Sequence, residues 1–172
     1  MLSSNASLFD ACAQILRGEY GPLDFESEIF PWDNTEYYRD ELGDHIERKF
    51  IFFERLIDPG ELPRIKILTN NVESNFATRK GSVLRRRINL DPGYITQAKV
   101  VLATTKDFSH RIYLAHGIYA EVTLRYSNAD RRFIPYDYTY PDYRTDTYAT
   151  LFNKARENLR MALKEIGKTD LE

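Results

Sequence analysis

The sequence is poor in cysteine, histidine and long apolar runs, and each shortage excludes a class of protein. Cys12 is the only cysteine among 172 residues, so no intrachain disulfide can form and a reducing compartment is expected. Three histidines and one cysteine offer no zinc-binding spacing. No apolar run approaches the ~20 residues of a membrane span, and no signal peptide opens the sequence. We therefore expect a cytoplasmic protein that has no membrane partner.

Charge is nearly balanced overall but unevenly distributed along the chain. The net charge of -2 argues against non-specific binding of nucleic acid by the whole molecule. Residues 10–44 hold 10 Asp/Glu against 2 Lys/Arg, whereas residues 79–132 hold 11 Lys/Arg against 4 Asp/Glu. The second region could attract an anionic partner, or the two regions could neutralise each other across the fold.

Hydrophobic periodicity predicts an α+β protein with one domain, residues 1–172. Hydrophobic residues make up 42% of the chain, which is a globular composition. The first predicted helix ends at Gly18. A second covers residues 59–78, and a long C-terminal helix covers residues 146–166 and is ended by Gly167. Between the last two helices, alternation with a period of two predicts a β-meander.

The order of these elements predicts one antiparallel sheet of about five to seven strands with the helices packed on one face. The front half has a ferredoxin-like order. Only residues 1–4 precede its first helix, too few for the full strand that this order requires. The other face of the sheet is expected to carry rows of polar side chains.

A set of short motifs resembles the bacterial and archaeal family called domain of unknown function 4416. The resemblance extends from about Ser3 to Arg160 and implies no established reaction or catalytic residue. It implies that relatives begin with an apolar strand, inside which this sequence starts. A neighbouring strand would then have an unpaired edge, so we expect either an edge-to-edge homodimer or a tendency to aggregate. The motifs are DFESEIFPW, TEYYRDELG, IKILTNNVE, INLDPGY, VVLATTKD, HRIYL, GIYAEVTL and TYPDYR.

The segment LRRRINLD, residues 84–91, suggests an anion-binding surface. In an extended chain, alternation places Arg85, Arg87, Asn89 and Asp91 on one side. Two guanidinium groups two residues apart could hold a phosphate or carboxylate. The alternative is a solvated edge strand whose charges discourage aggregation.

The connection after the motif VVLATT gathers a further set of reactive side chains. Lys106 and Arg111 could bind an anion, and His110 is the histidine best placed for proton transfer. The alternative is a polar hairpin loop. Glu121 lies in the middle of a predicted strand and Thr123 shares its face, so this carboxylate needs either solvent or a partner.

These residues support two open hypotheses about function. In the first, the protein is an enzyme or ligand-binding domain for a small anionic, phosphorylated or nucleotide-like molecule. Asp91, His110 and Glu121 would perform proton chemistry, or the two carboxylates would hold a divalent cation such as magnesium. In the second, the protein is a non-catalytic interaction or scaffold domain. The tyrosine-rich segment FIPYDYTYPDYR could stack on bases, but it is more typical of an aromatic brace before the last helix.

Overall fold

The chain forms two compact units, Met1–Pro92 and Gly93–Glu172. The structure is a computed structural model that describes residues 1–32, 39–80 and 83–169. Both units combine helices with antiparallel strands. The predicted α+β class, the antiparallel pairing and the long C-terminal helix are therefore confirmed.

The first unit carries its strands in three small antiparallel sheets. Their orders are β1-β4-β3, β2-β5 and β6-β7. The motif TEYYRDELG begins outside the described residues, and its later part contains the short helix α2. The elements are β1 (Leu2–Ser3), α1 (Ser7–Tyr20), β2 (Leu23–Glu26), β3 (Phe30–Pro31), α2 (Arg39–Leu42), β4 (Glu47–Arg48), β5 (Ile51–Phe53), α3 (Leu62–Phe76), β6 (Thr78–Lys80) and β7 (Val83–Arg85).

Helices α1 and α3 supply most of the core of this unit. The core joins the apolar side of α1 to α3 and to the segment before Asp91, through Leu8, Phe9, Cys12, Val72, Ile88 and Leu90. Helix α1 passes through Gly18 and stops at Gly21, which has a φ of 86°. The prediction that Gly18 ends the helix was wrong, because a glycine in a helix interior costs only about 1 kcal/mol, which packing can outweigh. The predicted helix 59–78 is a 3-10 turn, Pro59–Glu61, followed by α3.

The first strand has hydrogen-bonding partners on both sides. Leu2 pairs with Arg48 of β4, and its backbone exchanges two 2.8 Å hydrogen bonds with Asn89. Strand β4 is itself held between β1 and β3. The unpaired edge that we expected next to the first strand is thus occupied in this structure.

The segment LRRRINLD is not the continuous strand that its alternation predicts. Strand β7 ends at Arg85, and a bend follows at Arg87. Leu84 is 54% exposed, while Ile88, Asn89 and Leu90 are buried in succession. The chain enters the core there, so both of its sides are covered and the period of two is lost. Arg85 and Arg87 therefore do not share one polar face with Asn89.

The second unit contains a five-stranded antiparallel sheet followed by the long helix. Its order differs from the predicted meander, because the third strand of the unit does not lie between the second and the fourth. The strand order is β10-β11-β9-β8, with β12 paired to β11. His116 and Gly117 form the predicted turn between β10 and β11, both with positive φ (54° and 75°), as tight hairpin turns require. The elements are β8 (Gly93–Ile95), β9 (Lys99–Thr104), β10 (Ile112–Ala115), β11 (Ile118–Ser127), β12 (Arg132–Pro135) and α4 (Asp146–Thr169).

Helix α4 is anchored to the sheet by its first three turns. Phe152 packs edge-on against Phe133 of β12, with ring centroids 6.5 Å apart. Asn153 Oδ1 accepts a 3.2 Å hydrogen bond from the Phe133 amide. The helix continues through Gly167 to Thr169, so the expectation that Gly167 ends it was wrong.

Gly93 is required because β8 approaches β9 too closely for a side chain. A Cβ at this position would lie 2.3 Å from the Val101 carbonyl oxygen and 2.7 Å from Leu102 Cδ2. We predict that Gly93→Ala lowers the free energy of unfolding by about 1–3 kcal/mol, since it overpacks a fixed backbone contact. The matched control is Gly18→Ala, where nothing lies within 4 Å and the helix should gain about 0.5–1 kcal/mol. Urea denaturation measures both. Equal effects of the two alanines would show that the β8–β9 contact is not tight.

Candidate functional site

The predicted site residues fall into two separate clusters. Asn89 and Asp91 belong to an ionic network in the first unit. His110, Arg111, Glu121 and Thr123 form a compact cluster in the second unit. Asp91 lies in the first unit and Glu121 in the second.

Glu121 is the centre of the second cluster. It projects from β11, and its side chain is only 3% exposed. One carboxylate oxygen, Oε2, lies 2.8 Å from Arg111 Nε and 3.3 Å from His110 Nε2. The other oxygen, Oε1, accepts a 3.3 Å hydrogen bond from the hydroxyl of Thr123. The partner that this mid-strand carboxylate needs is Arg111, and burial of the charge is compensated on both oxygens.

All three nitrogens of the Arg111 guanidinium have hydrogen-bond acceptors within the protein. Its guanidinium donates to the Lys106 carbonyl (3.0 Å) and to the Tyr140 hydroxyl (3.4 Å), in addition to Glu121. It also lies 4.8 Å above the ring of Phe108. Because the side chain is only 3% exposed, Arg111 positions Glu121 and the surrounding loop. It is poorly placed for the direct anion contact that the sequence suggested.

His110 lies in a stack of aromatic rings beside Glu121. Its ring is 4.4 Å from Tyr138 at an angle of 17°, and 6.1 Å from Phe108 at 18°. Tyr138 stacks in turn on Tyr136 at 5.1 Å. The His110 side chain is 24% exposed. Among the described residues, Nε2 has a hydrogen-bonding partner in Glu121, whereas Nδ1 has none.

The tyrosine-rich segment covers the polar face of β11. The Tyr138 hydroxyl donates to the Val122 carbonyl (2.9 Å), and the Thr139 hydroxyl donates to the Thr123 carbonyl (2.7 Å). A register shift between Val122 and Leu124 marks a bulge in β11 at this point. The segment is therefore the aromatic brace that its composition favoured. Glu121 and Thr123, expected on a solvent-facing row, are buried beneath it.

The brace also affects the acidity of Tyr138. Partial burial, reinforced by the neighbouring Tyr136 and Glu121, raises the pKa of the Tyr138 phenol. The phenol therefore stays protonated and keeps donating to Val122. Sequence reasoning missed Tyr138 and Phe108 as neighbours of His110. Sequence periodicity carried no signal for this stack, because Tyr136 and Tyr138 lie in a turn that is closed by a 3.1 Å hydrogen bond from the Thr139 amide to the Tyr136 carbonyl.

Asp91 is part of an ionic network in the first unit. Its carboxylate accepts hydrogen bonds from Asn89 Nδ2 (2.7 Å) and Lys66 Nζ (3.4 Å). Lys66 also donates to the Leu90 carbonyl at 2.6 Å. The Asp91 side chain is 36% exposed. Its partial burial favours the neutral acid, but Lys66, the N-terminal amine and Arg48 outweigh it and hold the pKa of Asp91 below its ordinary value of 3.8. A carboxylate held ionised in this way is a weak base, so the geometry favours a structural role.

The network continues through a buried glutamate that the sequence reasoning did not identify. Glu73 of α3 is 4% exposed; it accepts from the Leu90 amide (2.6 Å) and from Arg86 (3.1 Å). Burial raises the pKa of Glu73, although Lys66 and Arg86 act in the opposite direction. Arg86 also binds Glu41 and Asn89. Lys66 and Glu73 are seven residues apart, so they share one face of α3, and this spacing was the missed signal.

The described residues do not provide a magnesium site. No group of three or more His, Cys, Asp and Glu side chains in the described ranges is arranged to hold a metal ion. Both oxygens of Glu121 and both oxygens of Asp91 already accept hydrogen bonds from protein groups. Within the same ranges, no helix is long and apolar enough to cross a membrane.

Comparison with known proteins identifies the family. The family model described as a domain of unknown function, DUF4416, matches residues 1–159. The chain therefore belongs to this family, as motifs such as INLDPGY and GIYAEVTL indicated. Searches of curated proteins and of solved structures found no match.

The Glu121–Arg111 pair should contribute strongly to stability. We predict that Arg111→Met lowers the free energy of unfolding by about 3–5 kcal/mol, because it leaves a buried carboxylate poorly compensated. The double variant Arg111→Met with Glu121→Leu should recover part of this loss, since it removes the charge as well. Urea denaturation followed by circular dichroism measures both.

An exposed ion pair provides the control for this prediction. Arg132 and Asp146 are 2.5 Å apart, but their side chains are 39% and 88% exposed. Arg132→Met should therefore cost less than about 1 kcal/mol. A similar cost for Arg111→Met and Arg132→Met would contradict the importance assigned to the buried pair.

The lowered pKa of Asp91 predicts a pH-dependent effect of its removal. A carboxyl group with a lowered folded-state pKa contributes stability above its ordinary value of 3.8 and loses that contribution as the pH falls through the folded-state value. Asp91→Asn should therefore be destabilising at about pH 7, and its difference from the wild type should shrink towards about pH 3. Urea denaturation at several pH values checks this. A constant difference would show that the Asp91 charge contributes nothing to stability.

Proposed function

We propose that the second unit binds a small anionic molecule, phosphorylated or nucleotide-like, and that His110 exchanges a proton with it. One observation carries this proposal: a partly exposed imidazole has one nitrogen on a buried carboxylate, while its other nitrogen has no hydrogen-bonding partner among the described residues. This is the arrangement of a histidine that is oriented for acid–base chemistry.

The contacts assign a separate task to each member of the cluster. Glu121 accepts from His110 Nε2–H, which leaves the Nδ1 lone pair available to a ligand proton. Arg111 holds the carboxylate in place through a charge-assisted hydrogen bond. Tyr138 fixes the plane of the ring by stacking.

Charge supports an anionic ligand. Residues 99–132 contain six Lys/Arg and three Asp/Glu. Lys106 lies in the same connection as His110, and its carbonyl contacts Arg111. A ligand with a phosphate or carboxylate group would complement this excess of positive charge. The proposal does not draw on Arg85, Arg87, Asn89 or Asp91, which lie in the first unit.

A thermal-shift titration tests this proposal. We expect at least one ligand among inorganic phosphate, sugar phosphates and nucleoside phosphates to stabilise the wild type, by about 2.7 kcal/mol at 100 times its dissociation constant. His110→Phe retains a stacking ring but removes both nitrogens, and should weaken binding about tenfold, a loss of about 1.4 kcal/mol. A ligand that raises the melting temperature of the wild type and of His110→Phe equally would show that His110 is not part of the binding site.

His116→Asn is the matched control variant. His116 is exposed in the β10–β11 turn and has a φ of 54°, a conformation that asparagine tolerates. The His116→Asn variant should therefore bind the ligand like the wild type. Absence of any shift across the whole ligand set would contradict the proposed function itself.

The alternative function, a non-catalytic interaction domain, also has an observation in its favour. Strand β10 exposes Ile112 and Tyr113, by 70% and 57% respectively. Exposed apolar side chains on a sheet edge are typical of a surface that binds another protein chain.

A further inference from the structure

Strand β10 is an edge of the five-stranded sheet. It pairs with β11 on one side, and no described strand pairs with its other side. Three consecutive residues, Ile112, Tyr113 and Leu114, are 70%, 57% and 38% exposed. Because successive side chains point to opposite faces, both faces of this edge are uncovered.

The strand carries little of the protection that isolated edges usually have. Its sequence, IYLA, contains no charged residue and no proline, although charged residues make up 29% of the chain. The one protective feature is a register shift between Tyr113 and Ala115, which makes Leu114 the bulged residue. Bulges disturb pairing locally, so Ile112 and Tyr113 form the regular part of the edge.

We propose that β10 pairs antiparallel with β10 of a second copy of this chain, joining two five-stranded sheets across a two-fold axis. Unpaired backbone groups on a sheet edge select an extended strand as their partner. The strand IYLA contains no charged residue, so an uncharged strand suits it as a partner. A second copy of β10 meets this condition. Pairing through β10 would not require the ligand proposed at His110.

Symmetry favours β10 over the opposite edge of the sheet. Pairing β10 with β8 of another copy would be head-to-tail and would produce an open chain of molecules unless it closed into a ring. Pairing β10 with itself is closed after two copies. Opposed residues in an antiparallel pair share one face, so the axis must pass through a residue. An axis through Ile112 places each Ile112 opposite the Ile112 of the second copy, which removes apolar surface from water, and the bulge at Leu114 stays outside this pair.

The predicted dimer is weak, because short strands bury little surface compared with the ~1,200 Å² or more of stable interfaces. We therefore expect monomers at low micromolar concentration and dimers at about 200 µM, with a dissociation constant of order 10 µM. Sedimentation velocity across this range measures the shift. A sedimentation coefficient that stays constant across the range would overturn the proposal, whether it is that of a monomer or of a larger species.

Charge substitution locates the interface. Ile112→Lys should raise the dissociation constant at least tenfold, since like charges would then meet across the axis. Tyr113→Lys should do the same, since it places a charge on the pairing edge. Leu84→Lys is the matched control, because Leu84 is also a strongly exposed apolar side chain (54%) on a short strand, β7. A control variant that loses dimerisation equally would overturn the assignment to β10.

Amide hydrogen exchange on the wild type provides a test that no substitution can confound. Backbone N–H groups alternate in direction along a strand, so one of the two at Ile112 and Tyr113 faces outward and becomes hydrogen-bonded in the dimer. The peptide containing β10 should therefore exchange at least threefold more slowly at high protein concentration than at low concentration. The turn at His116 and Gly117 should not change. Unchanged exchange in β10 alongside a measured dimer would place the interface elsewhere and overturn the proposal.

Discussion

The buried carboxylate of Glu121 is the constraint on which the second unit depends. A charge removed from water must find donors within hydrogen-bonding distance, or its burial costs several kcal/mol. Arg111, His110 and Thr123 supply those donors. The hydrogen bonds to Glu121 hold Arg111 at the start of β10 and orient the His110 imidazole. Arg111 in turn holds the loop that carries Lys106. The aromatic brace then closes over the cluster through backbone hydrogen bonds to Val122 and Thr123.

In the first unit, buried charges are also compensated by ionic contacts, which here form a longer chain of alternating charges. Glu41, Arg86, Glu73, Lys66 and Asp91 follow one another with opposite neighbours in contact. Two of these groups, Lys66 and Glu73, lie on the buried face of α3. The network also binds the backbone of Leu90 on both its amide and its carbonyl. It holds the buried segment after β7 in place, and it explains why Asp91 is better understood as a structural carboxylate than as a catalytic one.

The two clusters differ in whether a reactive group lacks a hydrogen-bonding partner among the described residues. In the first unit, the carboxylates accept from protein donors and are held among cations. In the second, the cluster around Glu121 ends at an imidazole whose Nδ1 has no hydrogen-bonding partner in the described part of the chain. A chemical role therefore concentrates on His110, with Glu121 and Arg111 acting through it. The exposed edge at β10 is a second feature of the same unit that internal packing does not explain.

The sequence by itself determined the α+β class, the antiparallel pairing, the hairpin turn at His116 and Gly117, and the long C-terminal helix, because these follow from local periodicity and turn chemistry. It also indicated that the mid-strand carboxylate of Glu121 needs a partner, which the structure supplies in Arg111. Tertiary structure decided which polar residues are covered. Asn89 and Thr123 are buried, while Leu84 is exposed, against the alternation of their segments. That outcome depends on bends, bulges and distant segments such as the brace at Tyr138. Burial is set by what packs over a strand, and periodicity carries no information about the covering element.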